Sequence, residues 1–298
     1  MVAYKDVELL ALPSLTKGYI KAAGRLVWKS LTAQHGARQG STLPQKRLVL
    51  KNYLLQPEQV EVYRAVTQLP QGEWLPLTYL YSLAFPMMIK LLTEQDFPYS
   101  PVGLVHLHNQ IDRYRKLKLD ALVDLYVYST NLREHRAGML FDVITEVYMG
   151  SDLVWSQVST MLHKQKTSLK KTHKEARPAF DKSVQYRQQT IEVTPDLIRA
   201  YARISGDRNP IHMSALMAKA FGFPRMIAHG SWMMARILSC SEKELPEACR
   251  YQINFGKPFL VPGRAELFSF PAEDGTWSYS LERTEQEKII LDAQILPL

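Results

Sequence analysis

The chain of 298 residues has few of the features that mark secreted, metal-stabilised or membrane-spanning proteins. Its two cysteines, Cys240 and Cys249, do not have the spacing of a metal site or a redox motif. No segment approaches the roughly 20 consecutive apolar residues that span a bilayer. The first residues also lack the pattern of a cleaved secretory signal. These absences predict a protein of the reducing cytoplasm without a structural metal.

Motifs for nucleic-acid binding are absent as well, although the chain carries a net charge of +8. The sequence contains no helix-turn-helix, zinc-finger or RNP pattern, so we expect no nucleic-acid partner. A basic surface also attracts anionic small molecules and acidic carrier proteins. An ordinary basic surface and a surface for such an anionic partner are both open interpretations.

Composition divides the chain into four parts. Residues 1–45 are predicted to be an extension, because residues 16–32 have the pattern of a basic amphipathic helix. We expect this helix to dock on the protein itself, with membrane or partner contact as the alternative. Residues 167–181 are rich in lysine and poor in large apolar residues, which predicts a solvated linker. The remaining segments, 46–166 and 182–298, are predicted to be two domains.

These two segments resemble each other in sequence, which indicates an internal repeat. Matching pairs include Pro57 and Pro195, Tyr63 and Tyr201, and Gln110 and Gln252. Each half is predicted to form a strand, a short helix, a long apolar helix and then antiparallel strands. The long helices are predicted at 77–93 and 229–241, with apolar residues nearly all round. An α+β fold follows, in which a curled antiparallel sheet wraps a central helix twice.

The predicted strands after the long helices alternate between apolar and polar residues, as in sheets with one face on a core. They lie at 104–117, 122–130, 139–149 and 154–163 in the first half, and at 248–260, 265–270, 277–283 and 289–296 in the second.

The residue types suited to acid–base chemistry occur together in one loop of the second half. Asp207 and His212 are five residues apart across a turn that contains Asn209 and a proline. A carboxylate and an imidazole at this spacing can hold one water molecule and exchange protons with it near neutral pH. Asn209 can fix the loop or bind a polar group of a substrate. Each residue alone is compatible with an ordinary turn or surface role, but the whole string predicts an active site.

His229 and Gly230 come at the start of the second long helix. The first N–H groups of a helix have no partner within the helix and lie at the positive end of its dipole. Gly230 can therefore polarise a carbonyl oxygen, and glycine allows a substrate to approach closely. His229 is a candidate for substrate binding, with a structural role as the alternative.

The sequence around this loop resembles a known family. The segments that carry the resemblance are Ser205–His212, Ala220–Pro224 and Ile227–Gly230, which are similar to the signature of MaoC-like (R)-specific enoyl-CoA hydratases. Further segments in the first half, among them Leu75–Tyr79, Asn131–Arg136 and Gln157–Thr160, resemble actinobacterial two-hot-dog (3R)-hydroxyacyl-thioester dehydratases. Some family members carry a serine at the position of Leu238, so we do not transfer the role of that serine.

The resemblance implies a double hot-dog fold, with Asp207 and His212 as catalytic dyad and the Gly230 amide facing a thioester carbonyl. It implies reversible hydration of trans-2-enoyl thioesters to (3R)-hydroxyacyl thioesters, without a metal or other cofactor. The substrate would be a thioester of coenzyme A or of acyl carrier protein, and the chain a monomer or a homodimer. The alternatives are a hot-dog acyl-CoA thioesterase and a non-catalytic acyl-thioester-binding protein.

The first half lacks the dyad loop, so we predict one active centre per chain, with the first half lining a tunnel for the acyl group. Pro86 should kink the first long helix, and a cavity that reaches Met87 would support a displaced helix. His106 and His108 are expected to share one face of a strand, without a third residue to complete a metal site.

Overall fold

The computed structural model describes residues 4–14, 42–101, 103–169, 186–283 and 288–298. The predicted basic helix of the extension and most of the predicted linker lie outside these residues.

The described residues form thirteen strands and six α-helices. The strands are β1 Lys5–Leu9, β2 Lys46–Leu54, β3 Val105–Arg113, β4 Leu122–His135, β5 Gly138–Met149, β6 Asp152–Lys164, β7 Arg187–Val193, β8 Met226–Ile227, β9 Cys249–Phe255, β10 Leu260–Val261, β11 Gly263–Pro271, β12 Trp277–Arg283 and β13 Lys288–Pro297. The helices are α1 Pro57–Thr67, α2 Tyr79–Leu92, α3 Pro195–Ser205, α4 Pro210–Met213, α5 Ala215–Ala220 and α6 Gly230–Arg236.

Eleven of the strands form one sheet in the order β1-β2-β4-β5-β6-β3-β9-β13-β12-β11-β7. Strands from the first half occupy one side of the β3–β9 junction, and strands from the second half occupy the other. The pairs between neighbours are antiparallel except at the edge, where β1 runs parallel to β2. β1 has no counterpart among the predicted strands, and it joins part of the predicted extension to the sheet.

The junction between β3 and β9 lies on a pseudo-twofold axis. Gln110 of β3 pairs with Gln252 of β9, and the Gln252 Nε2 donates to the Gln110 Oε1 at 3.1 Å. These two glutamines are equivalent positions of the internal repeat, so the repeat pairs with itself at the centre of the sheet. The equivalent Tyr63 and Tyr201 are both buried, and their ring centroids are 6.3 Å apart. The structure therefore supports the repeat inferred from the sequence.

The long helices lie where the apolar pattern predicts them, with one difference. In α2 every residue except Pro86 and Lys90 is buried, as expected for a helix wrapped by a sheet. The helix continues through Pro86 to Leu92. The second long helix, α6, ends at Arg236 and is followed by a 3₁₀ turn over Ile237–Cys240. The predicted helix of 229–241 is thus α-helical only in its first half.

With α2 the longest at 14 residues, the helices in the described part of the chain do not reach the length and apolarity that crossing a bilayer requires.

An ion pair joins the two halves beside the axis, and it yields a stability prediction. The Arg250 Nε and Nη2 donate to the two carboxylate oxygens of Asp112, each at 2.8 Å, and the Asp112 carboxylate is largely buried. Asp112→Ala leaves the guanidinium without its bidentate partner. We expect the free energy of unfolding in urea to fall by about 1.5–3 kcal/mol, the range for hydrogen bonds to charged groups.

The exposed pair of Lys118 and Glu73 lies within the first half and provides the control. Glu73→Ala should change the free energy of unfolding by less than about 1 kcal/mol, because exposed ion pairs contribute little. Equal effects of the two substitutions would contradict the special role of the pair at the junction.

Candidate active site

The loop that carries Asp207 begins where α3 ends. Gly206 adopts the left-handed conformation with φ of 73°, which favours glycine and turns the chain out of the helix. The Asp207 N–H then donates to the Ser205 Oγ at 3.2 Å, and the Asp207 Oδ1 accepts from the Asn209 N–H at 3.2 Å. Asn209 in turn caps α4 through its Oδ1, which accepts from the Ile211 N–H. Local hydrogen bonds therefore orient the Asp207 carboxylate. Of the two roles expected for Asn209, fixing the loop and binding a polar group of a substrate, these hydrogen bonds correspond to the first.

The orientation of His212 follows from one hydrogen bond. Its Nδ1 lies 2.8 Å from the carbonyl oxygen of Ile227 in β8. A carbonyl oxygen only accepts hydrogen bonds, so Nδ1 carries the hydrogen and donates. In the neutral ring, Nε2 is then the unprotonated nitrogen. His212 thus presents a proton acceptor on the side of the ring opposite β8.

His229 binds the backbone of the loop that carries Asp207. Its Nε2–H donates to the backbone carbonyl oxygen of Asp207 at 2.8 Å. Its ring lies on that of His212, with centroids 3.9 Å apart and planes inclined by 33°. Among the described residues no group hydrogen-bonds the buried Nδ1 of His229. This position corresponds to the structural alternative stated for His229 rather than to direct substrate contact.

Both imidazoles are neutral at physiological pH because they are buried. Burial lowers the pKa of His212 below its ordinary value, although the negative charge of Asp207 and the hydrogen bond to Ile227 oppose this shift. Burial, together with the neighbouring His212, lowers the pKa of His229 to about 3. The site therefore combines a neutral proton acceptor with a nearby carboxylate.

Gly230 begins α6 directly beside the dyad. A methyl group added at this position would lie 3.1 Å from the Cε1 atom of Phe255 in β9. That distance is shorter than an ordinary carbon–carbon contact, so any larger residue would displace the aromatic ring. The glycine lets the wall of the cavity and the start of α6 approach each other closely.

One cavity of about 440 Å³ brings most of these residues together. Asp207, Asn209, His212 and Gly230 all line it, whereas His229 does not. The walls continue into the first half of the chain along α2, where Tyr81, Phe85, Met88, Ile89 and Leu92 line the cavity. Both halves therefore build one site. The cavity reaches Met88, but the fully buried Met87, which would have indicated a displaced helix, does not line it.

His106 is a cavity residue that the sequence analysis did not place in the site. A register shift in β3 places His106 opposite Met161 of β6 and His108 opposite Thr160. Thr160 and Met161 are successive residues of β6. Successive residues of a strand face opposite sides, so the bulge puts the two histidines on opposite faces. The expectation that they share a face is therefore wrong. His106 packs against Phe255 and Tyr81, and burial lowers its pKa to about 3.

Asp207, His212 and His229 could also be considered as metal ligands, since their ligand atoms lie within 4.8 Å of one another. The Nδ1 of His212 and the Nε2 of His229 each donate a hydrogen bond to a backbone carbonyl oxygen. In the neutral rings these two nitrogens carry hydrogen and cannot bind a metal ion, which leaves one nitrogen of each ring as a possible ligand.

Comparison with known proteins agrees with this geometry. A family model described as "MaoC like domain" matches residues 177–267, which include the dyad loop and the start of α6. The 3-hydroxyacyl-thioester dehydratase X of Mycobacterium tuberculosis is 40% identical over 239 residues, covering 80% of this chain and 85% of that protein. The chain belongs to the MaoC-like dehydratase family.

Solved structures of this family share the fold. The crystal structure of HtdX of Mycobacterium tuberculosis superposes with a TM-score of 0.73 at 36% identity, over 85% of this chain and 100% of that chain. A MaoC-like dehydratase from Phytophthora capsici matches with a TM-score of 0.66 over 88% of this chain and 98% of that chain, and its 16% identity shows the fold alone. The predictions of a double hot-dog α+β fold and of a dehydratase are confirmed.

The position of His229 in this dehydratase leads to a prediction. His229→Ala removes the N–H that holds the Asp207 carbonyl, and we expect kcat to fall roughly tenfold, the value of one hydrogen bond. KM should change less, because His229 does not line the cavity. Steady-state kinetics of the dehydration reaction provide the measurement.

His229→Gln is the matched variant, since its amide N–H can replace the donor and should restore part of kcat. If His229→Ala kept the full kcat, or if only KM changed, the proposed positioning of the loop would be incorrect.

Proposed function

We propose that this protein catalyses the reversible addition of water to trans-2-enoyl thioesters, giving (3R)-hydroxyacyl thioesters. The observation that carries the proposal is the convergence of Asp207 and His212 on one cavity beside the start of α6. The substrate class rests on family membership and on the name of the related dehydratase X, a 3-hydroxyacyl-thioester dehydratase.

In this mechanism one water molecule lies between Asp207 and His212. The carboxylate accepts a hydrogen bond from one O–H of the water, while the unprotonated Nε2 of His212 takes the other proton. The water oxygen bonds to C3, and the electrons of the double bond shift toward C2 and the thioester carbonyl. The imidazolium then returns its proton to C2, so that one water molecule is added in total.

Negative charge that develops on the carbonyl oxygen needs a hydrogen-bond donor. The Gly230 N–H belongs to the first turn of α6 and has no acceptor within the helix by its geometry. We assign it to this oxygen, because a prearranged backbone donor in a cavity with largely apolar walls stabilises such a charge strongly. The apolar wall along α2 accommodates the acyl group.

Several narrower expectations from the sequence stay predictions. They are a cytoplasmic location, a monomer or homodimer, coenzyme A or acyl carrier protein as the carrier, and the domain boundaries.

Removal of either dyad residue tests the proposal. Asp207→Asn and His212→Ala should each lower the rate of hydration by roughly 10²–10⁴-fold, the contribution of a positioned acid–base group. Loss of absorbance of the enone in crotonyl-CoA provides the assay. His135→Ala, at the end of β4 and outside the cavity, is the control and should keep the wild-type rate.

Circular dichroism should show that all three variants are folded. Near-normal hydration by both dyad variants would rule out the assignment, and release of free thiol by the wild type would identify a thioesterase instead.

The pH profile of hydration provides an independent test. The reaction uses the neutral form of His212, and burial lowers the pKa of that group below its ordinary value of about 6.5. The kcat/KM should therefore stay level as the pH falls through 6.5 and should decline only at more acidic pH. Asp207 opposes the lowering of this pKa, so residual activity of Asp207→Asn should decline at a still lower pH.

An acidic limb at or above pH 6.5 in the wild type, or a limb that Asp207→Asn moves upward, would contradict the role of neutral His212 as proton acceptor.

A further inference from the structure

A second cavity lies on the other side of α2 and shares one residue with the catalytic cavity. It has a volume of about 470 Å³ and lies between residues 8–14 and the second half of α2. The α2 residues that line it are Pro86, Ile89 and Lys90, and Thr93 and Glu94 line it from just beyond the end of the helix. Ile89 also lines the catalytic cavity, and within the described residues it is common to the linings of both.

The helical geometry of α2 explains this shared position. Tyr81, Phe85, Met88 and Leu92 follow a spacing of four, three and four residues, so they form one face of the helix, and that face lines the catalytic cavity. Pro86 and Lys90, four residues apart, lie on the face toward the second cavity. Ile89 is at the boundary of the two faces, and it is buried. Its side chain therefore lies between the two spaces.

The second cavity has an apolar side suited to a hydrocarbon chain. Leu9 at the end of β1 and Leu10, Ala11 and Pro13 after it contribute apolar atoms to the lining, and the charged residues Glu8, Lys90 and Glu94 line the rest. Leu10 is fully exposed, so its apolar surface is in contact with water. An alkyl chain lying against Leu10 would remove apolar surface of both partners from water, which is favourable.

We propose that Ile89 sets the length of acyl chain that the enzyme accepts. The acyl group runs from the dyad along the α2 face to Ile89, and the second cavity takes the distal methyl end of chains that pass this side chain. The inference rests on the proposed function, because it assigns the apolar part of the catalytic cavity to the acyl group of a thioester.

The test compares kcat/KM for crotonyl-, octenoyl-, dodecenoyl- and hexadecenoyl-CoA. Ile89→Ala opens the passage, so the ratio of hexadecenoyl-CoA to crotonyl-CoA should rise by roughly tenfold or more, given about fourfold for each buried methylene. Ile89→Phe narrows the passage and should lower this ratio. Met87→Ala is the matched control and should leave this ratio unchanged, since Met87 is buried in the same helix but lines neither cavity.

Leu10→Asp examines the second cavity without disturbing the core, because Leu10 is exposed. It should lower kcat/KM for hexadecenoyl-CoA and leave that for crotonyl-CoA unchanged. If Ile89→Ala left the ratio unchanged, the proposal for Ile89 would be wrong. If Ile89→Ala raised the ratio but Leu10→Asp had no effect, the chain would end elsewhere, and the role of the second cavity would be overturned.

A binding measurement separates this inference from the proposed reaction. Calorimetric titration with butanoyl-CoA and hexadecanoyl-CoA, which cannot be hydrated, should show that Ile89→Ala selectively tightens binding of the longer ligand. If the wild type hydrated none of the enoyl thioesters, the proposed function would fail, while this titration would still decide the role of Ile89. Equal changes in Kd for both ligands would overturn that role.

Discussion

Two hydrogen bonds from imidazole N–H groups to backbone carbonyls hold the site in its geometry. The bond from His212 to Ile227 decides which ring nitrogen is free to accept a proton. The bond from His229 to Asp207 ties the loop to the residue that precedes α6. Without them, a buried imidazole could rotate or change its tautomer, and the carboxylate and the ring would no longer converge. Burial supports the same arrangement, because it keeps both rings neutral.

Because β3 pairs with β9, both halves of the chain contribute residues to this site. The pairing places the equivalent residues Gln110 and Gln252 opposite each other, and α2 of the first half lines the cavity that contains Asp207 and His212. The two halves have the same order of elements but different tasks. Gln68 at the end of α1 adopts the left-handed conformation, as Gly206 does at the end of α3. After Gly206 comes the dyad loop, whereas residues 69–78, which lack the dyad, connect Gln68 to α2.

The local parts of this arrangement could be predicted from the sequence, because they depend on short-range chemistry. Gly206 and Pro210 delimit a loop, so Asp207 and His212 had to lie close together, and the apolar residues of α2 indicated a buried helix. Parts that depend on tertiary structure could not be predicted. A bulge between His106 and His108 changes which of them faces the cavity, and no composition signal marks it. The parallel pairing of β1 with β2 depends on a free sheet edge, which local patterns do not reveal.

The first half has a complete hot-dog although it lacks the dyad, because its strands complete the sheet of the second half. Without the first half, the β9 edge of the second half would be unpaired and α6 would lose its contacts with α1 and α2, and unpaired strand edges invite association with other chains. Pairing with a second copy of the fold satisfies that edge. Once the dyad loop is absent from one copy, the space beside its helix no longer has to hold catalytic groups. The α2 face is then free to be apolar, so one half can supply proton transfer while the other contacts the hydrocarbon part of the substrate.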